Sequence, residues 1–428
     1  MIDIRLIRES PDVVKSNIQR KFQEEKVVLV DKVLELDVKW RKEKKKADDL
    51  RSERNKISET INKLMKEGKK EESKKLIEKA KEIPEKIERV EKKTDKLYTE
   101  ITEIMRKIPN MVHESVPSGR NETENVELEK IGEVRVPSFE IYNHAEFAEK
   151  LGGLDLESSR KTSGQGFYFL KGDIARLHSA VLDYARDFMI EKGFEYVVPP
   201  VMIRGDVVTG VMSFEEMDAM MYKIEGEDLY LIGTSEHSII GMFKDKVLKR
   251  GEIPQKLTGY SACFRKEKGA HGIEERGLFR VHQFDKQEMI VVCEPEESYD
   301  WFNKMIDFNV EFYKSLKIPI RKLECCTGDL ADLKAKSVDI EAWSPRQKKY
   351  FEVGSCSNLT DAQARRLGIK INGGDGNYFA HTINNTVVAS PRILIALMEN
   401  HQNKDGSISI PRVLQRYMGG KKKIEVRK

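Results

Sequence analysis

Between residues 31 and 108 the chain carries a regular repeat of apolar positions. In the second half of this stretch the spacing alternates between four and three residues, at Leu76, Ala80, Ile83, Ile87, Val90, Thr94, Leu97, Ile101, Ile104 and Ile108. The first half follows a looser version of the repeat, at Leu36, Trp40, Glu43, Ala47, Leu50, Arg54, Ile57, Ile61 and Leu64. Such spacing is typical of a coiled-coil seam, so it predicts two long helices that pack on each other.

The two halves are separated by a polar stretch at residues 66–70, which contains Gly68. A turn this short makes the helices antiparallel, and helices of about 35 residues at ~1.5 Å per residue form an arm on the order of 50 Å long. Pro84 lies within the second helix, where a proline costs about 3 kcal/mol and bends the axis. Because the seam continues in phase on both sides of Pro84, we expect a kink or a change of helix geometry there, and not a break.

Outside this arm the pattern is mixed. A helix start is predicted at Ser10-Pro11, and residues up to about 166, with scattered proline and glycine, are predicted to be a linker with short strands. An amphipathic helix is predicted over residues 174–192, ended by Gly193. Strand-like runs follow at residues 196–198, 229–232, 279–284, 289–292 and 350–353. Local pairing of these runs predicts an α+β fold, with an antiparallel sheet flanked by helices.

Composition and charge narrow the class of protein. Of 428 residues, 39% are apolar and 35% are charged, and no apolar run approaches the ~18 residues of a membrane-spanning helix. The N-terminus lacks the pattern of an export signal, and five cysteines without a CxxC pair favour reduced thiols in a cytoplasm. Residues 31–108 contain 25 Lys or Arg and 19 Asp or Glu, a net charge of +6, whereas the other 350 residues carry −2. The arm therefore either binds a polyanion or is only a solvated helix surface.

Candidate chemistry is concentrated between Phe264 and Glu288. The chain has no GxGxxG or GxxxxGK[ST] segment, so a nucleotide site would have to be built from side chains. Arginines offer planar forks to phosphate oxygens, an aromatic ring can stack on a base, and a carboxylate can accept from an adenine amino group. Two strands joined by the polar loop at residues 269–272 would bring such groups together; the alternative is an exposed charged hairpin.

A second candidate is Arg392, which follows Pro391 and precedes an apolar run. Proline is favoured at the first position of a helix, so Arg392 is predicted at a helix N-terminus, beside free N–H groups. That position suits a phosphate contact, and it also suits an arginine that caps a core helix.

Together these segments resemble the class II aminoacyl-tRNA synthetases over essentially the whole chain. Residues 193–200 (GFEYVVPP) resemble motif 1, which builds the dimer interface of that class. Phe264-Arg265-Lys266-Glu267 through Glu288 resembles motif 2, and Ala389-Ser390-Pro391-Arg392 with the following helix resembles motif 3. Further segments resemble the seryl-tRNA synthetases in particular: GTSE at 233–236, EVGSCSN at 352–358, NNT at 384–386, and the arm with LRSERN at 50–55.

The resemblance implies a role for each matching residue, with Arg265 and Arg392 as the catalytic residues. The residues expected to bind ATP are Arg265, Lys266, Glu267, Arg280, Val281, His282, Gln283, Phe284, Glu352, Val353, Gly354, Ser355 and Arg392. Those expected to bind serine are Thr234, Ser235, Glu236, Arg265, Glu288 and Thr386. The residues expected to hold the Mg²⁺ that bridges the ATP phosphates are Glu352 and Ser355. Those expected to bind tRNA are Arg51 and Arg54.

Within that set, the resemblance gives each group a specific contact. Arg265 would hold the α-phosphate and the serine carboxylate, Glu267 would accept from the adenine amino group, and Phe284 would stack on the base. Arg280 and Arg392 would bind the outer phosphates.

The implied function is that of a homodimeric cytoplasmic ligase without a membrane partner. It would make seryl-adenylate from L-serine and ATP and esterify tRNA-Ser, and tRNA-Sec where that tRNA exists. The implied domains are a tRNA-binding domain at residues 1–110, a linker region at 111–165 and a catalytic domain at 166–428. Two alternatives are a catalytically inactive paralogue that acts as an RNA-binding or scaffold module, and a ligase that loads a carrier protein, although such ligases lack the arm.

Three positions depart from the family's usual residues: Pro391, where a small residue is common, and Thr386 and Gly354, where serine is common. A rarer kind of seryl enzyme binds serine through zinc. The GTSE segment indicates the common zinc-free kind, and the adjacent Cys325 and Cys326 are poor candidates for sharing one metal ion.

Overall fold

The computed structural model describes residues 1–267 and 277–426, and it divides into two compact units, Ile2–Pro109 and Asn110–Lys428. The loop predicted at residues 269–272 lies outside the described residues.

The first unit consists of helices, which are α1 (Ile4–Glu9), α2 (Pro11–Arg20), α3 (Val27–Lys66), α4 (Lys70–Lys81) and α5 (Ile83–Met105). Ser10 is the N-cap of α2, as its sequence predicts. Gly68, with φ +76°, lies in the turn between α3 and α4, where a left-handed backbone favours glycine. Helices α3 and α5 pack together along the predicted seam, with these residues buried: Leu36, Ala47, Ile83, Ile87, Ile101 and Ile104. The prediction of an antiparallel coiled-coil arm is confirmed.

Pro84 has a larger effect than the expected kink. It is the second residue of α5, and α4 ends at Lys81, so the second half of the arm is two helices separated by Glu82. Pro84 has no N–H with which to continue the hydrogen-bond ladder to Ala80. The seam stays in phase across the interruption because Glu82, with φ −81° and ψ −23°, keeps helical backbone dihedrals.

Polar residues in the arm pair across the two helices. Glu43 lies in the seam, 7% exposed, and it accepts from Lys93 Nζ at 2.9 Å and Lys46 Nζ at 3.0 Å; the nearby ammonium groups lower its pKa. Arg51 pairs with Glu91 at 2.6 Å and with Asp48 at 3.1 Å. Arg54 is exposed.

The second unit contains helices and strands. Its helices are α6 (His144–Lys150), α7 (Leu156–Thr162), α8 (Gly172–Glu191), α9 (Gly205–Val211), α10 (Phe214–Met220), α11 (Ser235–Gly241), α12 (Ser298–Ser315), α13 (Ala362–Leu367), α14 (Arg392–His401) and α15 (Arg412–Gln415). Its strands are β1 (Val126–Ile131), β2 (Leu154–Asp155), β3 (Phe169–Leu170), β4 (Glu195–Val197), β5 (Met202–Arg204), β6 (Leu229–Leu231), β7 (Val247–Lys249), β8 (Gln255–Phe264), β9 (Gln283–Cys293), β10 (Ile320–Glu324), β11 (Lys336–Ser344), β12 (Lys349–Thr360), β13 (Lys370–Asn372), β14 (Asn377–Phe379), β15 (His381–Ser390), β16 (Ile408–Ser409) and β17 (Lys423–Ile424).

The main sheet has the strand order β1-β10-β11-β12-β15-β9-β8-β4 among the residues described. Its pairs are antiparallel except β4 with β8. Helices α8, α12 and α14 pack on the sheet, and their apolar residues form the main core with it, among them Val181, Phe312 and Leu397. The predicted α+β fold is confirmed.

Two predicted strands are wrong in their bounds. Residues 279–284 were expected to form a strand, but residues 277–279 form a turn and β9 begins at Gln283. Residues 289–292 belong to that same long strand. The aromatic and β-branched residues of 279–281 face the candidate site described below, so their side chains pack without strand pairing.

No helix in the described parts of the chain is long and apolar enough to cross a membrane.

Candidate active site

One pocket in the second unit gathers residues from distant parts of the chain. Arg265 and Glu267 line it from the segment after β8, Arg280 and Val281 from the segment before β9, and Phe284 and Lys286 from β9. Strand β12 contributes Glu352, Val353 and Gly354, and β15 with the start of α14 contributes Thr386, Ala389, Ser390, Pro391 and Arg392. Leu278 and Phe279 complete the lining. Most of the predicted ATP-binding residues therefore lie together.

Irregular strand pairing decides which side chains face this pocket. Between β11 and β12 the register shifts so that Gly354 pairs with Ile340 and Glu352 pairs with Glu341. The extra residue at Val353 puts Glu352 and Ser355, three positions apart, on the same face of the sheet. A similar shift between Thr386 and Val388 in β15 brings Thr386 and Ala389 to the pocket.

Arg265 lies at the centre of the motif 2 segment. Its Nε donates to the Gly233 carbonyl at 3.2 Å, and its guanidinium carbon lies 5.1 Å from the centre of the Phe284 ring. The His282 backbone carbonyl accepts from the Arg265 N–H at 2.9 Å, and His282 Nδ1 lies 3.0 Å from the Arg265 carbonyl. The backbone of Arg265 is thus held at both of its polar groups.

The other two arginines are paired with carboxylates that also line the pocket. Arg280 donates to Glu267 at 2.8 Å. Arg392 is the first residue of α14, as predicted, and donates to the Glu352 carboxylate at 3.2 Å and to the Glu352 carbonyl at 3.1 Å. Its guanidinium also lies 4.7 Å from the centre of the Phe279 ring. A phosphate that enters the pocket meets cations that are already positioned.

A buried ion pair marks the side of the pocket near Thr386. Lys286 Nζ lies 2.8 Å from Glu288 Oε2, and the two side chains are only 7% and 2% exposed. Glu288 and Thr386 are paired residues of β9 and β15. Gly354 faces Thr386: a Cβ at Gly354 would lie 3.2 Å from the Thr386 carbonyl oxygen and 3.3 Å from its Cβ.

The GTSE segment forms the start of α11. Thr234 is its N-cap and accepts from the Glu236 N–H at 3.3 Å, whereas Ser235 is fully buried and donates to the Gly259 carbonyl at 3.0 Å. Glu236 accepts from Gln363 Nε2 at 2.8 Å, and Gln363 accepts from Thr382 Oγ1 at 2.7 Å. Burial first, and the nearby Glu288 second, raise the pKa of Glu236 to about 7.

Some predicted residues lie beside the pocket without lining it. Lys266 is tied to α10 by a backbone bond to the Met220 carbonyl at 2.9 Å, and Gln283 is exposed. Ser355 shares a hydrogen bond with Ser337 at 3.0 Å and another with Asp339.

A group of possible metal ligands lies near Ser355. Atoms of Cys325, Asp329 and Asp339 come within 4.8 Å of one another. Burial and the charge of Glu352 raise the pKa of Asp339 to about 6, whereas the ammonium of Lys334 beside it lowers that pKa. Asp329 also accepts from Asn125 Nδ2 at 2.8 Å.

Sequence reasoning missed Lys286 and Gln363. Lys286 could have been found from the alternation of side chains along β9, because Phe284, Lys286 and Glu288 share one face of a strand. Gln363 carried no such signal, since it is 127 residues away from Glu236 along the chain.

Comparisons with known proteins agree with this layout. The model of the seryl-tRNA synthetase N-terminal domain matches residues 1–112, and that of the tRNA synthetase class II core domain (G, H, P, S and T) matches residues 220–401. The serine–tRNA ligase of Methanoregula boonei is 42% identical over 421 residues, which is 98% of this chain and 99% of that protein. That of Thermococcus sibiricus is 41% identical over 450 residues, with 100% of this chain and 98% of that protein covered.

Solved structures give the same result. The seryl-tRNA synthetase from Pyrococcus horikoshii, complexed with ATP, has a TM-score of 0.92 and 40% identity, and all of both chains is covered. The cytoplasmic serine–tRNA ligase from Naegleria fowleri, in complex with AMP, has a TM-score of 0.87 and 34% identity over 100% of this chain and 99% of that one. These similarities along the full length show that the chain belongs to the seryl-tRNA synthetase family of class II aminoacyl-tRNA synthetases.

Proposed function

We propose that the chain is a serine–tRNA ligase that works in two steps. The serine carboxylate attacks the α-phosphorus of ATP, which forms seryl-adenylate and releases pyrophosphate. The adenylate then esterifies the 3′-terminal adenosine of tRNA-Ser and releases AMP; tRNA-Sec is a second acceptor in organisms that make it. The observation that carries this proposal is the convergence of the motif 2 segment, β12 and the β15–α14 junction on one pocket.

The charges of the pocket suit the first step. Attack of one anion on another needs positioning and charge neutralisation more than it needs a protein nucleophile. Arg265 neutralises the α-phosphate and holds the serine carboxylate in line. Arg280 releases Glu267, and Arg392 releases the carboxylate of Glu352, so that both arginines bind the outer phosphates. Glu267 is then free to accept from the adenine amino group, and Phe284 offers its face to the base.

Glu352 and Ser355 are the proposed Mg²⁺ residues. A carboxylate and a hydroxyl are hard oxygen ligands of the type that Mg²⁺ prefers, and the extra residue in β12 turns both to one face. When bound, Mg²⁺ neutralises charge on the ATP phosphates. Before ATP binds, Glu352, with a half-exposed side chain, pairs with Arg392 and holds it in position.

The serine pocket is proposed around Thr234, Glu236, Glu288 and Thr386, with the backbone of Ser235. Carboxylates there suit the serine ammonium, and the Thr386 hydroxyl suits the substrate hydroxyl. A site whose buried polar groups are satisfied only by a serine hydroxyl should reject alanine and glycine strongly.

We also propose that serine binding needs no zinc. The proposed pocket residues are oxygen donors without a histidine or cysteine among them, and the group around Cys325 has the Lys334 ammonium beside Asp339. Metal analysis of the purified protein, with exchange assays in Mg²⁺ plus a zinc chelator, tests this. Stoichiometric zinc whose removal abolishes serine activation would assign the chain to the zinc-dependent kind.

For the whole protein, we propose cytoplasmic homodimers that bind tRNA through residues 1–110 and catalyse through residues 166–428. Residues 111–165, which contribute β1 to the sheet edge, connect the two regions. The dimer is proposed through residues 193–200, where Val198 is 72% exposed. Light scattering of the wild type and of Val198→Asp measures this: the wild type should be a dimer, and the variant should shift toward monomer.

The decisive experiment is ATP–pyrophosphate exchange with each of the twenty amino acids. The function is supported if exchange depends on serine alone and if the protein then aminoacylates tRNA-Ser. Absence of exchange with every amino acid from a folded protein would favour the inactive paralogue.

A further inference from the structure

We propose that His178 is a positioning residue for adenylation, which holds the ends of β9 and β15 together beneath the ATP pocket. This inference rests on the proposed function. His178 belongs to helix α8, which lies outside the motif 2 and motif 3 segments, and it does not line the pocket.

The imidazole contacts one residue on each of two strands. His178 Nδ1 lies 2.7 Å from Ser390 Oγ, and His178 Nε2 lies 3.3 Å from Asp285 Oδ2. Ser390 is fully buried, while the side chains of His178 and Asp285 are each 16% exposed. Tyr260 on β8 donates to the other oxygen of Asp285 at 2.7 Å, so one polar network joins α8, β8, β9 and β15.

Asp285 and Ser390 are directly paired residues. They form the last pair in the β9–β15 register, at the place where both strands reach the pocket. Phe284 is next to Asp285 in the chain, and Arg392 follows Ser390 by two residues. The contacts that His178 makes with this pair therefore fix the distance between the Phe284 ring, proposed to stack on adenine, and Arg392, proposed to bind phosphate.

Each ring nitrogen of His178 has a hydrogen-bond partner. With its proton on Nε2, His178 points N–H at the Asp285 carboxylate and Nδ1 accepts from the Ser390 hydroxyl. Loss of the imidazole would leave the buried Ser390 hydroxyl without this partner, and a buried polar group without a partner is costly. Movement of the strand end would relieve that cost, and Arg392 would move with it.

The two nitrogens can be tested separately with His178→Asn and His178→Gln. The shorter asparagine amide reaches about as far as Nδ1 and keeps the contact to Ser390, whereas glutamine reaches about as far as Nε2 and keeps the contact to Asp285. His178→Leu keeps neither. Ser179→Ala is the matched control, because Ser179 is the exposed neighbour on the same helix and bonds only to the Ala175 carbonyl at 3.3 Å among the described contacts.

In serine-dependent exchange, His178→Leu should raise the KM for ATP by about tenfold, with less than a twofold change in the KM for serine. His178→Asn should recover most of the loss, and Ser179→Ala should match the wild type. Ser390→Ala should produce a similar ATP defect, and adding His178→Leu to it should cost little more, since both remove the same contact.

An unchanged KM for ATP in His178→Leu, or equal rises for ATP and serine, overturns the inference. If His178→Leu does not fold, the comparison of His178→Asn with Ser390→Ala decides in the same way. If the wild-type protein shows no exchange, the proposed function itself is overturned. If the wild type shows exchange and these variants do not change it, only the inference about His178 is overturned.

Discussion

At the scale of single residues, substitution of Arg265 should impair catalysis without impairing folding. It is half-buried in the pocket wall, and its side chain contacts Gly233 and Phe284. Arg265→Ala should lower serine-dependent pyrophosphate exchange by roughly 10²-fold or more, about 3 kcal/mol of transition-state stabilisation. Arg250→Ala, which removes an exposed arginine paired with Glu294, is the control. Near-normal exchange by folded Arg265→Ala would remove this residue from the mechanism.

The effect of a substitution at Gly354 should depend on the residue at position 386. A side chain at Gly354 would press on the Thr386 backbone and Cβ and would lie 3.6 Å from its methyl group. Gly354→Ser should therefore lower kcat/KM for serine by about fivefold, the effect of ~1 kcal/mol of overpacking. Thr386→Ser removes the methyl group but keeps the carbonyl oxygen and Cβ, so the double variant should recover part of the loss. Equal loss in the single and double variants would show that the two positions do not share space.

Glu236 should make serine binding depend on pH. Its pKa is raised from an ordinary value of 4.5 to about 7, so the carboxyl is protonated below that pH and can pair with the serine ammonium only above it. The KM for serine should fall as the pH rises from about 6 to about 8, and Glu236→Gln should give a higher KM without this slope. For stability the sign is opposite: because the folded state holds this proton more tightly, low pH favours folding, and that contribution is fully present below about pH 4.5 and is lost as the pH rises to about 7. Identical pH profiles for both proteins would contradict this role.

At the scale of elements, the two arm arginines should differ. Arg51 ties α3 to α5 through Glu91, whereas Arg54 is exposed and its side chain contacts only Asn55 among the described contacts. Arg54→Glu should weaken tRNA charging and lower the salt slope by about 1, without a change in melting temperature. Arg51→Glu should also lower the melting temperature, though only slightly because the pair is exposed.

A charge exchange separates these effects. In Arg51→Glu with Glu91→Arg the helix pairing is restored, so the melting temperature should recover. Charging of tRNA should recover only if it does not matter whether the cation lies on α3 or on α5. A melting temperature equal to that of the single variant would show that Arg51 and Glu91 do not stabilise the arm together.

The sequence predicts elements best where one periodicity governs a long segment. The arm and α8 are of this kind, because a seam or an amphipathic stripe repeats over many residues. The strand predicted at residues 279–284 was wrong because aromatic and β-branched side chains are common both in strands and in pocket walls. Pro84 was underestimated because continuity of the seam reports the phase of the side chains and not the hydrogen bonds of the backbone.

The candidate site was predictable where residues are adjacent in a recognisable segment. What the sequence did not reveal was the partner of each charge. The Arg280–Glu267 and Arg392–Glu352 pairs join distant segments that strand pairing brings together, and the β11–β12 and β9–β15 registers each contain a shift of one residue. A single extra residue reverses every side chain beyond it, and nothing in the local residue types marks where it lies.

At the scale of the whole molecule, adenylation and tRNA binding should be separable. Glu43 and Lys93 meet across the arm, so residues 44–92 can be replaced by Gly-Gly-Ser while the buried base of the arm is kept. Pyrophosphate exchange should remain substantially intact, whereas tRNA charging should fall steeply and lose much of its salt dependence, because phosphate contacts disappear. Unchanged charging at moderate salt, or lost exchange in a folded dimer, would contradict this division.

The Arg51–Glu91 pair has a consequence for how tRNA binding should be measured. Glu91 acts as a tethered counterion: when an RNA phosphate takes Arg51, the freed carboxylate attracts a cation from solution. That uptake offsets part of the cation release from the RNA on which salt dependence rests. A contact at Arg51 will therefore add less to the salt slope than one at Arg54. Counting phosphates from the slope alone will give fewer contacts than the arm makes.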